Sequence, residues 1–344
     1  MVRISKIILY ITLAILAIWQ LPWCYSFFTA KEAKVPFTLY STLTNDFISM
    51  QHSSDKGLYG EDSKGNTYTR DEVDSLLPFF YMRQLVSEGR FPHQINGEHV
   101  DPRSVQMTNF NFRNKASDIN RPKIGLYPLL ETKSGRVDLE MSEDVFRITN
   151  EGIEFIVMKT NTVDEVKSHQ FTEMMQKKGF IFPHQLISGN PTTHKEYDEG
   201  YLLTDSEGKL FHLKRVVGRP YVRHIELPDS VEIDQLFITE FRDHKTLAFI
   251  ADKGHKLYVL NNGEYKLYYT GIDNYNPTEH ALTIFGNMMD WTAVVEGDDT
   301  IRYYALDANT YSIIRKTEKT FNNVNIPGLH FTSYKDRYVK PRFD

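Results

Sequence analysis

Three stretches in the last third of the chain share one residue pattern, and their spacing limits the fold more than any other feature of the sequence. Asp205, Lys209, Leu210, Phe211 and Leu213 give an acid, a base four residues on, an apolar residue, an aromatic and then Leu. Asp252, Lys256, Leu257, Tyr258 and Leu260 repeat it, as do Asp298, Arg302, Tyr303, Tyr304 and Leu306 with Tyr at the first apolar place. The starts lie 47 and 46 residues apart, a period that marks a repeat architecture rather than one irregular core. An apolar run precedes each copy: Tyr201 to Leu203, Leu247 to Ile250, and Trp291 with Ala293 to Val295. Gly208, Gly254 and Gly297 lie at the tips of the hairpins, so each unit reads as two strands joined by turn residues that tolerate positive φ. A run as continuous as Leu247 to Ile250 indicates a strand covered on both faces, the condition inside a radial stack of four-stranded units.

Two weaker copies lie upstream, one at Asn150, Glu154, Phe155, Ile156 and Met158, the other at Asp62, Asn66, Thr67 and Tyr68. The fold expected is mainly β: a β-propeller-like domain over residues 29–320 with about five blades, some degenerate. A plain sandwich or meander, whose hairpins look alike because all hairpins do, is the competing architecture. Two helical insertions interrupt the strands. Near 70–88, Thr69 and Glu72 stand at capping-box spacing before Val73, Leu76, Leu77 and Phe80, with Pro78 set to break the helix and Gly89 to end it. Near 162–179, Thr162 and Glu165 give a second capping box before Val163, Val166, Phe171, Met174 and Met175, and Gly179 closes the segment. From Arg90 to Pro128 the periodicity is lost, and a long ordered loop with short strands is expected. Residues 321–344 read as a loose, mildly basic tail that returns to the first blade.

No charged residue occurs between Lys6 and Lys31, and residues 7–28 are long and apolar enough for a helix to cross the roughly 30 Å hydrocarbon layer. Trp19, Trp23 and Tyr25 suit the outer interface. A cleavable signal peptide has the same basic start and apolar run, but no clean small-residue cleavage site follows here. The expected organisation is therefore a cytoplasmic N-terminus over residues 1–6, a single-pass anchor in a bacterial inner membrane at 7–28, and the bulk of the chain in the periplasm. Cys24 is the single cysteine, so no internal disulfide can form. The chain carries a formal charge of -5, and without its first thirty residues -7, which speaks against a nucleic-acid partner.

Three groups of side chains could carry chemistry. His93, His99, Asp101 and Arg103 fall within eleven residues of the irregular stretch and are the candidate ligand-binding residues, although their spacing is not that of a metal site and a solvated loop would look the same. Glu196, Asp198 and Glu199, with Glu131 and Asp138, supply carboxylates. Paired carboxylates across a cleft would serve glycan hydrolysis, but consecutive acids in a loop do not set that geometry, so no catalytic residue is assigned. Asp205, Asp252 and Asp298 read as caps of turn backbone. Neither a phosphate-cradling glycine loop, a paired-cysteine site nor a nucleophile elbow is found, and no cofactor is expected.

Residues 302–314, Arg-Tyr-Tyr-Ala-Leu-Asp-Ala-Asn-Thr-Tyr-Ser-Ile-Ile, resemble the repeat of quinoprotein-type propellers. Tyr311 stands where those repeats carry Gly and their docking tryptophan is missing, so no quinone is implied. Over its whole length the chain also resembles an uncharacterised Bacteroides-type family of exported, membrane-anchored proteins known only as a domain of unknown function. Leu76 to Leu85, Ile124 to Glu131, Ser134 to Leu139 and Lys195 to Tyr201 carry that likeness. It implies an accessory of ABC-type transporters and offers no catalytic residues. The sequence thus leaves two functions open: a non-catalytic binding or scaffolding protein of a transporter or envelope complex, and an anchored glycan hydrolase. Geometry separates them, since the hydrolase needs two carboxylates facing across one cleft, whereas a binding module shows a broad apolar or aromatic patch at a rim.

Overall fold

The computed structural model describes residues 2–29, 36–53, 57–133, 138–297, 300–320, 329–330 and 342–343. The chain opens with α1 (Val2–Thr29), within which Arg3–Leu21 is apolar and unburied, long enough to be a membrane span or a signal sequence. The first sheet follows, with β1 (Phe37–Ser41), β2 (Asp46–Ser53), β3 (Gly57–Glu61) and β4 (Thr67–Tyr68) in consecutive order. Next comes a helical segment: α2 (Arg70–Leu76), α3 (Met82–Ser87), the small hairpin β5 (Gln94–Ile95) and β6 (Glu98–His99), and α4 (Pro102–Thr108). It leads into β7 (Phe110–Asn114) and α5 (Ala116–Ile119).

Four further sheets complete the domain. The second holds β8 (Tyr127–Pro128), β9 (Asp144–Ile148), β10 (Ile153–Val157) and β11 (Thr162–Val163), and against it packs α6 (Glu165–Lys177). The third holds β12 (Ile187–Gly189), β13 (Tyr201–Thr204), β14 (Leu210–Val216) and β15 (Arg219–Ile225). The fourth holds β16 (Ile233–Ile238), β17 (Thr246–Asp252), β18 (Leu257–Asn261) and β19 (Leu267–Tyr269). The fifth holds β20 (Ala281–Gly286), β21 (Asp290–Glu296), β22 (Thr300–Asp307) and β23 (Ile313–Thr320). Every pairing within these meanders is antiparallel. Of the tail, β24 (Leu329–His330) and β25 (Arg342–Phe343) pair with each other; the remainder of 321–344 lies outside the described residues.

The sheets stack face to face because their middle strands are apolar on both sides: all seven residues of β17 are buried. One apolar core fills the seam between the second and third sheets, a second that between the third and fourth, and a third that between the fourth and fifth. A smaller cluster of Tyr40 and Phe47 with Val294, Ile301, Tyr303 and Ala305 seats the first sheet on the fifth. The spatial order is therefore second, third, fourth, fifth, first, an arc of five blades that makes the fold β-propeller-like. Among the described residues no core cluster joins the first sheet to the second; the segment 70–108 instead packs its own small cores beside the first sheet.

Several local expectations are refined. Helix formation near 70–88 is split as Pro78 requires, and the Glu72 carboxylate accepts from the Thr69 N–H at 2.8 Å. The second helix starts later than its sequence pattern indicates. Thr162 and Val163 pair as β11 with Ile156 and Val157, and the cap is Asp164, which accepts from the Lys167 N–H at 3.0 Å. Val163 and Val166 are therefore not part of the buried face, which is made by Phe171, Met174 and Met175. The Asp62 turn joins the third and fourth strands of its sheet, whereas the Asp205 and Asp252 turns join the second and third. The same turn chemistry has been placed one hairpin later. Asp298 and the turn at Ser134-Gly135 lie outside the described residues.

Candidate functional site

In Phe110-Asn111-Phe112-Arg113-Asn114, apolar and polar residues alternate, which in a strand sends them to opposite faces. This segment is β7, and it pairs with β20 as a fifth strand at the edge of the fifth sheet, matching Gly286 with Phe110, Phe285 with Asn111 and Thr283 with Arg113. On one face Phe110 stacks on Phe241 with ring centroids 3.9 Å apart and Phe112 meets Phe249 at 4.8 Å, sealing the seam with the fourth sheet. A glycine at 286 is needed there, because a Cβ would lie 2.1 Å from the Phe110 ring.

The other face carries Asn111 and Arg113 in register with Phe285 and Thr283, and beyond them Thr292 and Val294. The outer part of this face packs on the first sheet, and Phe285 and Thr292 reach it nearer β7. Nearer β7 the seam opens into a hollow of about 360 Å³ between residues 39–42, 76–80, 109–111, 285–287 and Thr292. A second hollow of about 330 Å³ shares Asn111 and Phe285 as walls and adds Pro36, Phe37, Arg113 and Glu296. A third, of about 380 Å³, shares Phe79, Phe80 and Asn109 and adds Arg83 and Arg242. The three adjoin through these shared walls as a groove of neighbouring hollows, the first two of them beside β7.

The central hollow is walled by aromatic, aliphatic, hydroxyl and amide groups; among the described residues no Asp, Glu, His, Lys, Arg or Cys lines it. Its rim is aromatic. Phe37 lies 5.1 Å from Phe285 and 5.2 Å from Phe80, and Phe80 lies 5.0 Å from Tyr81. Phe80 is 46% exposed and Phe37 37%, high values for rings so large. The polar wall groups are mostly spent on structure. Thr292 Oγ1 accepts from the Tyr40 N–H at 2.9 Å and the Ser41 hydroxyl donates to the Leu76 carbonyl at 2.6 Å, which holds the first sheet to its neighbours. Asn109 Nδ2 donates to the Phe79 carbonyl at 2.7 Å, while its Oδ1 is buried with no partner among the described residues. Beneath the wall sits Asp290, 2% exposed, accepting from the Thr42 hydroxyl and from Asn287 Nδ2; burial pushes its carboxyl up to about 6.

The residues singled out from sequence lie elsewhere. His93 and His99 are exposed on the β5–β6 hairpin, and Asp101 caps α4, accepting from Arg103 N at 2.9 Å and Ser104 N at 3.2 Å and from the Ser104 hydroxyl. None of these four residues lines the groove. Each carboxylate considered for hydrolysis is engaged. Glu131 accepts from the Val217 and Gly218 N–H groups and pairs with Arg215, and Glu196 stands 3.5 Å from Arg242. Lys195 Nζ binds Asp198 at 2.5 Å and Glu240 at 2.6 Å, and Glu199 takes Lys214 at 2.8 Å and Asn262 at 3.1 Å.

These last contacts clasp the third sheet to the fourth. Burial raises the Asp198 carboxyl to about 6 against the pull of Lys195, and burial lowers the fully enclosed His212, between Tyr265 and the Glu199 carbonyl, to about 4. The turn aspartates also act on backbone: Asp205 accepts from Glu207 N and Lys209 N, both at 2.9 Å, and Asp252 from Lys256 N at 2.8 Å. The groove itself was missed from sequence. Its one local signal is the alternation at 110–114, set in a stretch whose Pro, Asn and Arg content hides it.

The profile of DUF4857, a domain of unknown function, matches residues 37–306, and the chain belongs to that family. No curated protein matches it. Among solved structures it is similar to the Dos1 propeller, with 9% identity and a TM-score of 0.32 over 87% of this chain and 64% of that one. It is similar also to the Cps50 (Swd1) β-propeller domain of Myceliophteria thermophila, with 11% identity and a TM-score of 0.31 over 62% and 61%. Hydrazine synthase of Kuenenia stuttgartiensis gives 13% identity and a TM-score of 0.29 over 70% of this chain and 56% of that one. The chain spans less than two thirds of each of these relatives.

Proposed function

We propose that this member of the family is a non-catalytic binding or scaffolding module, held by residues 7–28 at the outer face of a bacterial cytoplasmic membrane as an accessory of an ABC-type transporter or envelope complex, and that the groove beside β7 is where it takes its partner. The observation that carries this reading is the chemistry of the central hollow: an aromatic rim over walls without acid, base or thiol, which suits recognition and not proton transfer. The unburied apolar α1 supports the tether, and the likeness to exported, anchored proteins supports the compartment and the transporter. In the same reading the exposed loop with His93, His99 and Arg103 is a secondary contact for an anionic group.

A photo-crosslinking residue placed at Phe80 in native membranes tests this. Partner adducts are expected from position 80 and not from Val166, which is 70% exposed on α6, and Asn111→Trp, which plugs the hollow, should abolish them. Adducts from both positions alike, or persisting behind the plug, would remove the groove from the account. Glycan cleavage by the purified chain that is lost in a Glu131→Gln, Asp138→Asn, Glu196→Gln, Asp198→Asn variant would establish the hydrolase instead.

A further inference from the structure

We infer that the occupant of the groove is an extended peptide segment of a partner protein, which pairs along the free edge of β7, seats one large apolar side chain in the central hollow and sets acidic side chains against Arg83 and Arg113. This rests on the reading that the groove is the binding site and adds the kind of ligand it takes.

Three observations converge. First, β7 pairs with β20 on one side only, and among the described residues no strand pairs with its other edge. In an antiparallel ladder alternate residues turn their N–H and C=O groups away from the partner, so that edge is a ready template for strand addition. Second, a strand added there keeps the pleat of the sheet. Its alternate side chains, about 6.5–7 Å apart, fall on the face of Asn111 and Arg113, one over the hollow walled by Asn111 and Phe285 and the next beside Arg113. The hollow, at about 360 Å³, has room for a Phe or Leu side chain.

Third, the charges match one class of peptide. Arg113 borders the second hollow and Arg83 the third, both are exposed, and neither has a described ion pair or hydrogen bond. Arg242 is already beside Glu196, and Glu296 is the one acid in the groove wall among the described residues. A chain of formal charge -5 therefore presents free guanidinium groups at both ends of an uncharged aromatic slot. Guanidinium binds carboxylate by paired hydrogen bonds, so acidic residues flanking an apolar one fit this pattern and basic ones are repelled.

The full-length chain in lipid nanodiscs, titrated with two fluorescein-labelled nonapeptide pools of pattern Glu-x-Phe-x-Glu and Lys-x-Phe-x-Lys, decides the matter. The acidic pool is expected to bind at least tenfold more tightly, to slow hydrogen exchange at residues 110–114, and to lose to the basic pool in the Arg83→Glu, Arg113→Glu variant. Equal binding of the two pools, no binding of either, or protection elsewhere than 110–114 would overturn the inference. If the Asn111→Trp plug still abolishes the membrane crosslinks in that event, the groove stands and only its acidic strand ligand falls; if it does not, the groove falls as well. Self-association that Arg83→Glu, Arg113→Glu abolishes would assign the groove to a second copy of this chain and overturn the peptide.

Discussion

The two faces of the fifth sheet share one backbone and end differently. Toward the fourth sheet, Leu282, Ile284, Trp291, Ala293, Val295, Tyr304 and Leu306 form a dry seam with Phe249, Ala251, Leu257 and Val259. Toward the first sheet, Val294, Ile301, Tyr303 and Ala305 pack and Phe285 meets the Leu39 and Ile48 cluster, but Asn111, Arg113 and Thr283 line open space. A period of two sorts the residues between the faces. Polar groups fall on one of them at β7 and β20, and desolvating them unpaired would cost more than closing the seam returns. The difference teaches that the opening is written into alternate residues of two strands and is not a packing defect.

Breaking the dry face should have the largest effect. Trp291→Ala removes a ring that is 4% exposed and touches Phe110, Phe249 and Tyr311, and chemical denaturation should show a loss of about 3–5 kcal/mol. Phe285→Ala on the open face, where the ring is half-buried, should lose about 1 kcal/mol. Equal losses would erase the distinction between the faces.

Asp290 sharpens the comparison through pH. Folded, it keeps its proton up to about 6, against 3.8 ordinarily, so between those values the folded state binds more protons than the unfolded one. Its contribution to stability is present below the lower value and lost as pH rises through the higher, a change on the order of 2–3 kcal/mol. The stability of Asp290→Asn relative to the native chain should therefore rise from pH 4 to pH 7 in thermal melts. A flat difference would mean that groove water reaches the carboxylate.

Gly286→Ala drives a methyl into the Phe110 ring and should cost about 2 kcal/mol by overpacking. Because Phe110 seals one face and walls the groove on the other, crosslinking from Phe80 should weaken in parallel. The smallest effect belongs to Arg113→Glu, whose stability should stay within about 0.5 kcal/mol of the native chain.

What was legible in the sequence is what depends on near neighbours. The Asp205 turn is closed by backbone N–H groups two and four residues on and the Asp252 turn by one four residues on, so their spacing exposed the third and fourth sheets. The same locality misplaced Asp62, because an Asp turn looks alike at any hairpin of a blade. Thr162 and Glu165 matched a helix start, yet pairing of residues 162–163 with 156–157 took precedence and left Asp164 to cap. The groove depends on β7 meeting β20, about 170 residues away in sequence, and on the first sheet returning to the fifth; no local pattern encodes either. The candidate loop at 93–103 drew attention by charge density alone, and its acid is occupied in a cap.

Pro36, on the wall of the second hollow, follows Thr29, the last residue of α1, by seven positions. Even fully stretched, so short a leash spans at most about 25 Å. Where α1 stays in a bilayer, Pro36 stays within that reach of the helix end, so a ligand borne by a neighbour in the same membrane meets the slot at a high effective concentration, while one free in bulk solvent gains nothing from the arrangement.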